Sequence, residues 1–434
     1  MEAAVGARGL TGPVYAGHVF WDADVFVLPV LAAVHPAAAR AMLEYRLRRL
    51  GPARELAAAQ GRSGARFAWE SAADGTEVTP LWATDRQGNR VRIRTGELED
   101  HIVADVAWAA CRYADWTGDA AVLDGPGRAL LLDTARYWAS RVRRDQGDRA
   151  HIDGVIGPDE YHVEVDDNAF TNVMARWNLR RAAELTERAG GATADEVIAW
   201  RRLADALVDG YDPATGRYRQ FAGFDDLEPL LIGELARPPV AADLLLGRDR
   251  VRAAQVVKQA DVLMLHLLVP EETAAGSLAP NLAFYGPRTA HGSSLSPAVH
   301  AALLARAGHP DRALELFRVA CRLDLDDLTG TTAGGLHLAT MGGLWQALTT
   351  GFCGLRPTGE ALELDPCLPA AWDSVEVRLR YHGRRLHLRA GHDHLELATD
   401  GPVAVRLSGL AARTVVPPGT TWRRVGTAWE EEPK

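Results

Sequence analysis

Cysteine is scarce in this chain. Four residues among 434 (Cys111, Cys321, Cys353, Cys367) lie far apart, and no CxxC pair occurs. That excludes a disulfide-stapled scaffold and argues against zinc or dithiol chemistry; reduced core cysteines of a cytoplasmic protein are expected. An excess of positive charge is also missing. The formal net charge of −9 speaks against general affinity for nucleic acid or anionic membranes, though not against a small anion in a local pocket. The longest apolar run, near residues 262–269, is too short to cross a bilayer. MEAAVGARGLTGP shows no basic start followed by an apolar run, so no signal peptide is expected. What is present is ordinary globular material, 47% hydrophobic and 24% charged, enough for a large domain with an appendage or for two domains.

Most of residues 20–352 reads as helix. Residues 36–61 are rich in Ala, Leu and Arg, and the Gly51-Pro52 break divides them into two helices. Residues 97–117 space apolar side chains three and four apart and end at Gly118. Similar periods run at about 120–143, 168–189, 194–209, 250–269, 297–307, 310–323 and 338–351. The long Gly-, Pro- and charge-rich connections between them (61–96, 145–167, 211–240, 270–296) have the length of functional loops. After about residue 357, SVEVRLRYHG, RRLHLRAGHDHLELATDG and PVAVRLSG alternate apolar and polar residues, which predicts a small antiparallel β module ending in a frayed EEEPK tail. Helical hairpins followed by a β appendage suggest an α/α toroid, although pattern alone also fits helical repeats or an irregular bundle.

Five stretches offer chemistry. In IGPDEYH (156–162), Asp159 and Glu160 sit beside Tyr161. A carboxylic acid near an aromatic ring suits proton delivery to a glycosidic oxygen, and a simple turn explains the stretch equally. In GHVFWDADVF (17–26), Trp21 and Asp22 pair an aromatic face with a carboxylate, as sugars require; Asp22 or Asp24 capping a helix is the plainer reading. VVKQADVLMLHLL (256–268) sets Lys258, Gln259 and Asp261 in an apolar run, either as a Lys258–Asp261 pair on one helix face or as donors into a polar pocket. HGSSLSPAVH (291–300) brings Gly292, Ser293 and Ser294 to a helix start, with Ser296 as cap and Pro297 in the first turn. TTAGGLHLATMGGLW (331–345) repeats that theme before His337. Two hydroxyl-rich helix entries suit a phosphate, and a pair of capped helices suits them too. Acids crowd around residue 160 and are absent from both of these loops.

At these motifs the chain resembles glycoside hydrolase family 65, the maltose, trehalose, kojibiose and nigerose phosphorylases and related hydrolases. GHVFWDADVFVLP, GVIGPDEYH followed by DNAFTN, VVKQADVLML, HGSSLSPAVH and TTAGGLHLATMGGLW match in family order, over about residues 10–355. The resemblance implies a mainly α fold, an (α/α)6 barrel over residues 10–356 with a C-terminal β module over 357–428. It implies Glu160 as general acid, Trp21, Asp22, Lys258 and Gln259 as holders of a glucosyl unit, and Ser293, Ser294 and His337 as a phosphate cradle. The expected reaction is inverting phosphorolysis of an α-glucoside to β-glucose 1-phosphate. Inorganic phosphate is then a co-substrate, with no cofactor or metal, and homodimers are common among such enzymes. Hydrolysis, which in this family uses a base carboxylate near the serine loop, is the alternative, and a non-catalytic sugar-binding relative is another. Three positions depart from the family pattern. The usual N-terminal β-sandwich does not precede the first barrel motif here, Asp24 stands where Glu is usual, and Gly334 stands where Glu is often found.

Overall fold

In the computed structural model, which describes residues 2–9, 12–84, 88–259, 261–408, 410–426 and 428–432, helices dominate up to Phe352 and strands begin at Arg356. Residue 10, the expected start of the barrel, Ala260 of the Lys258 motif and the last two residues of the tail lie outside the described residues.

Six helical segments form an inner ring: 23–34, Ile102–Thr117, Ala169–Ala189, Asp261–Leu268, Ser296–Arg306 and 338–352. Each packs on the next, and the last closes against the first. Their composition explains the position: a helix apolar on every side has to be surrounded by protein. All residues of Asp261–Leu268 are buried, and Ile102–Thr117 is buried along nearly its whole length. Five of the six pair with an outer helix: Pro36–Arg48, Pro126–Arg141, Ala194–Ala206, Leu278–Tyr285 and Pro310–Arg322. Ala194–Ala206, one of the outer helices, buries a single stripe of Trp200, Leu203 and Ala204 and starts with a Thr193–Glu196 capping box. The result is an (α/α)6 barrel.

Several expected helices are divided. Residues 120–143 break at Gly125, giving Ala121–Asp124 and Pro126–Arg141, because Pro126 supplies no N–H and fits a first helical turn. The expected helix over 250–269 is only Arg248–Arg252 and Asp261–Leu268. Between them Val257 bridges to Thr289 as extended chain.

The C-terminal module has a five-stranded antiparallel sheet with its strands in the order 428–431, 419–425, 394–399, 384–391, 374–381. Alternation buries Leu386, Leu388 and Ala390 on one face. The module is thus mainly antiparallel, as expected, and its second sheet adds one parallel pair, Val403–Leu407 beside Leu362–Leu364. The tail expected to fray at Glu430 instead pairs with 422–425 as far as Glu431. The module is tied to the barrel by the His382 N–H, which donates to Trp116 O at 2.9 Å.

At that end of the barrel the inner helices finish, and their C-terminal carbonyls converge. Arg306 answers one of them, donating to His266 O at 2.9 Å, while Arg112 donates to Pro357 O of the β module at 2.9 Å. All four cysteines are free, and among the described residues no helix is long and apolar enough to cross a membrane.

Candidate active site

At the opposite end, where the inner helices begin, the loops enclose a cavity of about 730 Å³. Its walls come from the connections that lead into the inner helices, so the cavity lies at the end where their positive dipole ends point. Trp21, Asp22, Glu160, Lys258, Gln259, Ser293, Ser294 and His337 all line this one space.

The two adjacent acids of IGPDEYH have separate surroundings. Asp159 is buried and accepts from Lys258 N (2.6 Å), Gln220 Nε2 (2.7 Å) and His162 Nδ1 (2.7 Å). It pins the turn. Glu160 is left facing the cavity, where its Oε1 accepts from Lys258 Nζ at 2.9 Å. Burial opposes the Lys258 charge, but the Glu160 carboxylate outweighs that and holds the amine above its ordinary value. The Lys258–Asp261 pairing is thus not formed; Asp261 instead accepts from Asn168 Nδ2 at 2.8 Å. Asn168 also caps the helix behind Glu160, accepting from Thr171 N at 2.9 Å. Gln259 Nε2 donates to Pro158 O, which ties the Lys258 segment to the Glu160 turn.

An aromatic wall stands on another side. Trp21 and Trp69 stack with centroids 6.3 Å apart, and both meet the His101 ring edge-on. His101 is fully buried between Asp105 (2.6 Å) and Glu99 (3.1 Å). Burial opposes its charge, yet the Asp105 carboxylate and the Glu99 contact push it up to about 10. The indole platform therefore rests on a charged, hydrogen-bonded base rather than on apolar packing alone.

Asp22 lines the cavity with one oxygen, Oδ1, buried and unpartnered among the described residues. Burial pushes its carboxyl up to about 6, with Asp24 adding to the shift. As pH falls below that value Asp22 takes up a proton and loses strength as a hydrogen-bond acceptor. The KM for a glucoside is expected to rise below about pH 6, and Asp22→Asn should flatten that limb while raising KM throughout; an unaltered profile in the variant would remove the role. Asp24, by contrast, points away into the protein, where Arg46 donates to its Oδ2 from Nη2 (2.6 Å) and Nε (3.0 Å). It caps no helix.

In the HGSSLSPAVH segment, Ser296 is the first residue of its helix rather than a cap, and its hydroxyl contacts His291 Nδ1 at 2.9 Å. Gly292 sits close to its neighbours: a Cβ there would lie 3.0 Å from Tyr161 Oη and 3.1 Å from Val240 O, so both would have to give by a few tenths of an ångström. Ser294 is fixed through its carbonyl, which accepts from Thr340 Oγ1 at 3.1 Å. His337 precedes its helix and is held through Nδ1 by Asp324 at 2.6 Å.

Sequence reasoning missed Arg8, Trp69, Glu70 and His291, all in the wall. Trp69-Glu70 repeats the aromatic-plus-carboxylate pattern of Trp21-Asp22 and was legible on that ground. Glu70 is buried and occupied by His18 Nδ1 at 2.8 Å.

A helical toroid whose cavity sets a carboxylic acid and stacked indoles against hydroxyl-bearing helix starts belongs to the carbohydrate-processing proteins. The chain is a member of glycosyl hydrolase family 65: residues 1–346 match the family's central catalytic domain and 355–410 its C-terminal domain. Its relatives include kojibiose phosphorylases of Halothermothrix orenii (36% identity over 412 residues; 91% of this chain, 53% of the relative) and Escherichia coli K12 (36% over 423; 94% and 54%). The α,α-trehalose phosphorylase of Thermoanaerobacter brockii is 31% identical over 410 residues, covering 91% of this chain and 51% of the relative. The chain thus spans about half the length of these curated relatives. A solved human-microbiome protein assigned as a kojibiose phosphorylase shares the fold at TM-score 0.85 and 24% identity, covering 98% of this chain and 62% of its own.

Proposed function

We propose that this chain performs inverting phosphorolysis of an α-glucosidic disaccharide, giving β-glucose 1-phosphate and a free acceptor sugar. The observation that carries the reading is an asymmetry within one cavity. Glu160 lines it, while the segments 291–295 and 328–339 contribute hydroxyls and the two imidazoles of His291 and His337 to its wall but no carboxylate. A hydrolase needs a second acid there to activate water; phosphate brings its own nucleophilic oxygen.

The residues divide the work. The stacked Trp21 takes the apolar face of the glucosyl unit, while Asp22, Lys258 and Gln259 take its hydroxyls. Ser293, Ser294 and the His337 turn cradle phosphate at converging helix starts. Lys258 Nζ holds Glu160 at 2.9 Å; a sugar hydroxyl drawing Nζ away leaves the carboxyl free to carry its proton. A phosphate oxygen then attacks the anomeric carbon, the glycosidic C–O bond breaks, and its electron pair takes the Glu160 proton. The same reading makes the protein cytoplasmic, independent of metal or organic cofactor, and a candidate homodimer to be checked by light scattering.

The test is a screen of kojibiose, trehalose, nigerose and maltose with and without inorganic phosphate, reading glucose 1-phosphate and free glucose. Kojibiose comes first because two of the relatives above are kojibiose phosphorylases. Glucose 1-phosphate formed only with phosphate is the expected result. Glucose release indifferent to phosphate would make the chain a hydrolase, and binding without turnover would make it a sugar-binding relative.

A further inference from the structure

The anion side of the cavity holds a cation that none of the motifs above includes. Arg8 lines the wall and is 8% exposed. Among the described residues no carboxylate lies within 4.0 Å of its guanidinium. Its protein partners are neutral: Nη1 donates to Gly335 O at 3.0 Å and meets His337 Nε2 at 2.6 Å, and Nη2 donates to Thr331 O at 3.3 Å. A buried charge so placed is costly unless an anion completes it.

The contact with His337 settles the state of that imidazole. Arginine only donates, so His337 Nε2 has to accept and carries no hydrogen. Its one N–H is therefore on Nδ1, donated to Asp324 Oδ1 at 2.6 Å, and the backbone N–H of His337 donates to Asp324 Oδ2 at 2.8 Å. An imidazole so engaged offers phosphate no donor. Arg8 does. Both Nη1 hydrogens and one Nη2 hydrogen are taken, which leaves Nε–H and the second Nη2–H without a protein partner among the described residues. Nε and Nη2 lie on one edge of the planar group, the fork with which a guanidinium meets a phosphate.

The backbone is shaped to bring Arg8 there. A Cβ on Gly335 would lie 2.4 Å from Arg8 O, one on Gly12 would lie 2.7 Å from Gly334 O, and one on Gly334 would lie 2.6 Å from Val14 Cγ2. The segment around Arg8 and the loop ahead of His337 approach so closely that both need glycine. Gly334, a departure from the family pattern, has a physical reason in this contact.

We infer that Arg8 is the phosphate-binding cation of this cavity, and that His337 is a positioning residue that aims it rather than a ligand. The inference rests on the phosphorolytic reading and deepens it, and binding can test it apart from turnover. Titrations of the whole chain with inorganic phosphate by calorimetry should show binding in the parent, and a Kd raised about 30-fold or more in Arg8→Gln. Arg8→Lys, which keeps the stem and the charge but not the fork, should fall between the two. In phosphorolysis both variants should raise the KM for phosphate far more than the KM for the disaccharide. His337→Asn should weaken phosphate binding in the parent but add little in the Arg8→Gln background, since its effect passes through the guanidinium. Thermal midpoints identify any variant that fails to fold, and Arg8→Lys then carries the test. Unchanged phosphate affinity in folded Arg8→Gln or Arg8→Lys overturns the inference. Phosphate binding lost with Arg8, in a parent that proves to be a hydrolase, would sustain the anion site and overturn the phosphorolytic reading alone. A parent that binds no phosphate overturns both.

Discussion

Replacing Glu160 with Gln is expected to lower turnover on a disaccharide by about two to four orders of magnitude, the usual worth of a positioned general acid. Gln keeps the shape and an oxygen that can still accept from Lys258 Nζ, so the variant should fold and bind sugar as the parent does. What it lacks is a proton to give. The loss should therefore depend on the leaving group: α-glucosyl fluoride departs without protonation, and its conversion should fall far less. Near-parental phosphorolysis of a disaccharide by the variant would remove Glu160 from the mechanism. The adjacent acid provides a contrast. Asp159 is buried among three donors, so Asp159→Asn should act through the turn, lowering the thermal midpoint as well as the rate.

The second large effect concerns stability. Asp24→Ala is expected to cost about 3–5 kcal/mol, because it strands the Arg46 charge inside the barrel wall. The two side chains are 3% and 2% exposed. Arg46 also donates to Phe20 O at 3.3 Å, so the loss reaches the backbone that carries Trp21 and Asp22. Replacing both members with apolar residues, Asp24→Leu with Arg46→Met, should cost less than the single change because no charge is left unpaired. Thermal midpoints of the three proteins make the comparison. An Asp24→Ala protein as stable as the parent would show that the pair is dispensable.

The inner helices could be read from sequence because burial on all sides writes continuous apolar runs, and the β module because one-sided burial writes alternation. Where reading failed, contacts from afar decided. VVKQADVLMLHLL looks like one helix, yet Asp159 takes the Lys258 N–H from 99 positions away and Val257 pairs with Thr289, so the chain is extended just where Lys258 has to reach Glu160. Arg8 had no readable signal, since its partner His337 is 329 positions distant. The parallel pairing of 362–364 with 403–407 was hidden for a related reason: alternation shows which face is buried but not which way a neighbour runs.

Basic residues in this chain are nearly all arginine. Lys258 is one of two lysines, and the other is the terminal Lys434. An amine-selective reagent therefore has a single side-chain target inside the folded barrel, the one that grips Glu160. Acylation or reductive methylation, followed by peptide mass mapping, would report occupancy of the cavity directly, with protection by glucose or a disaccharide as the expected signal and no mutation needed.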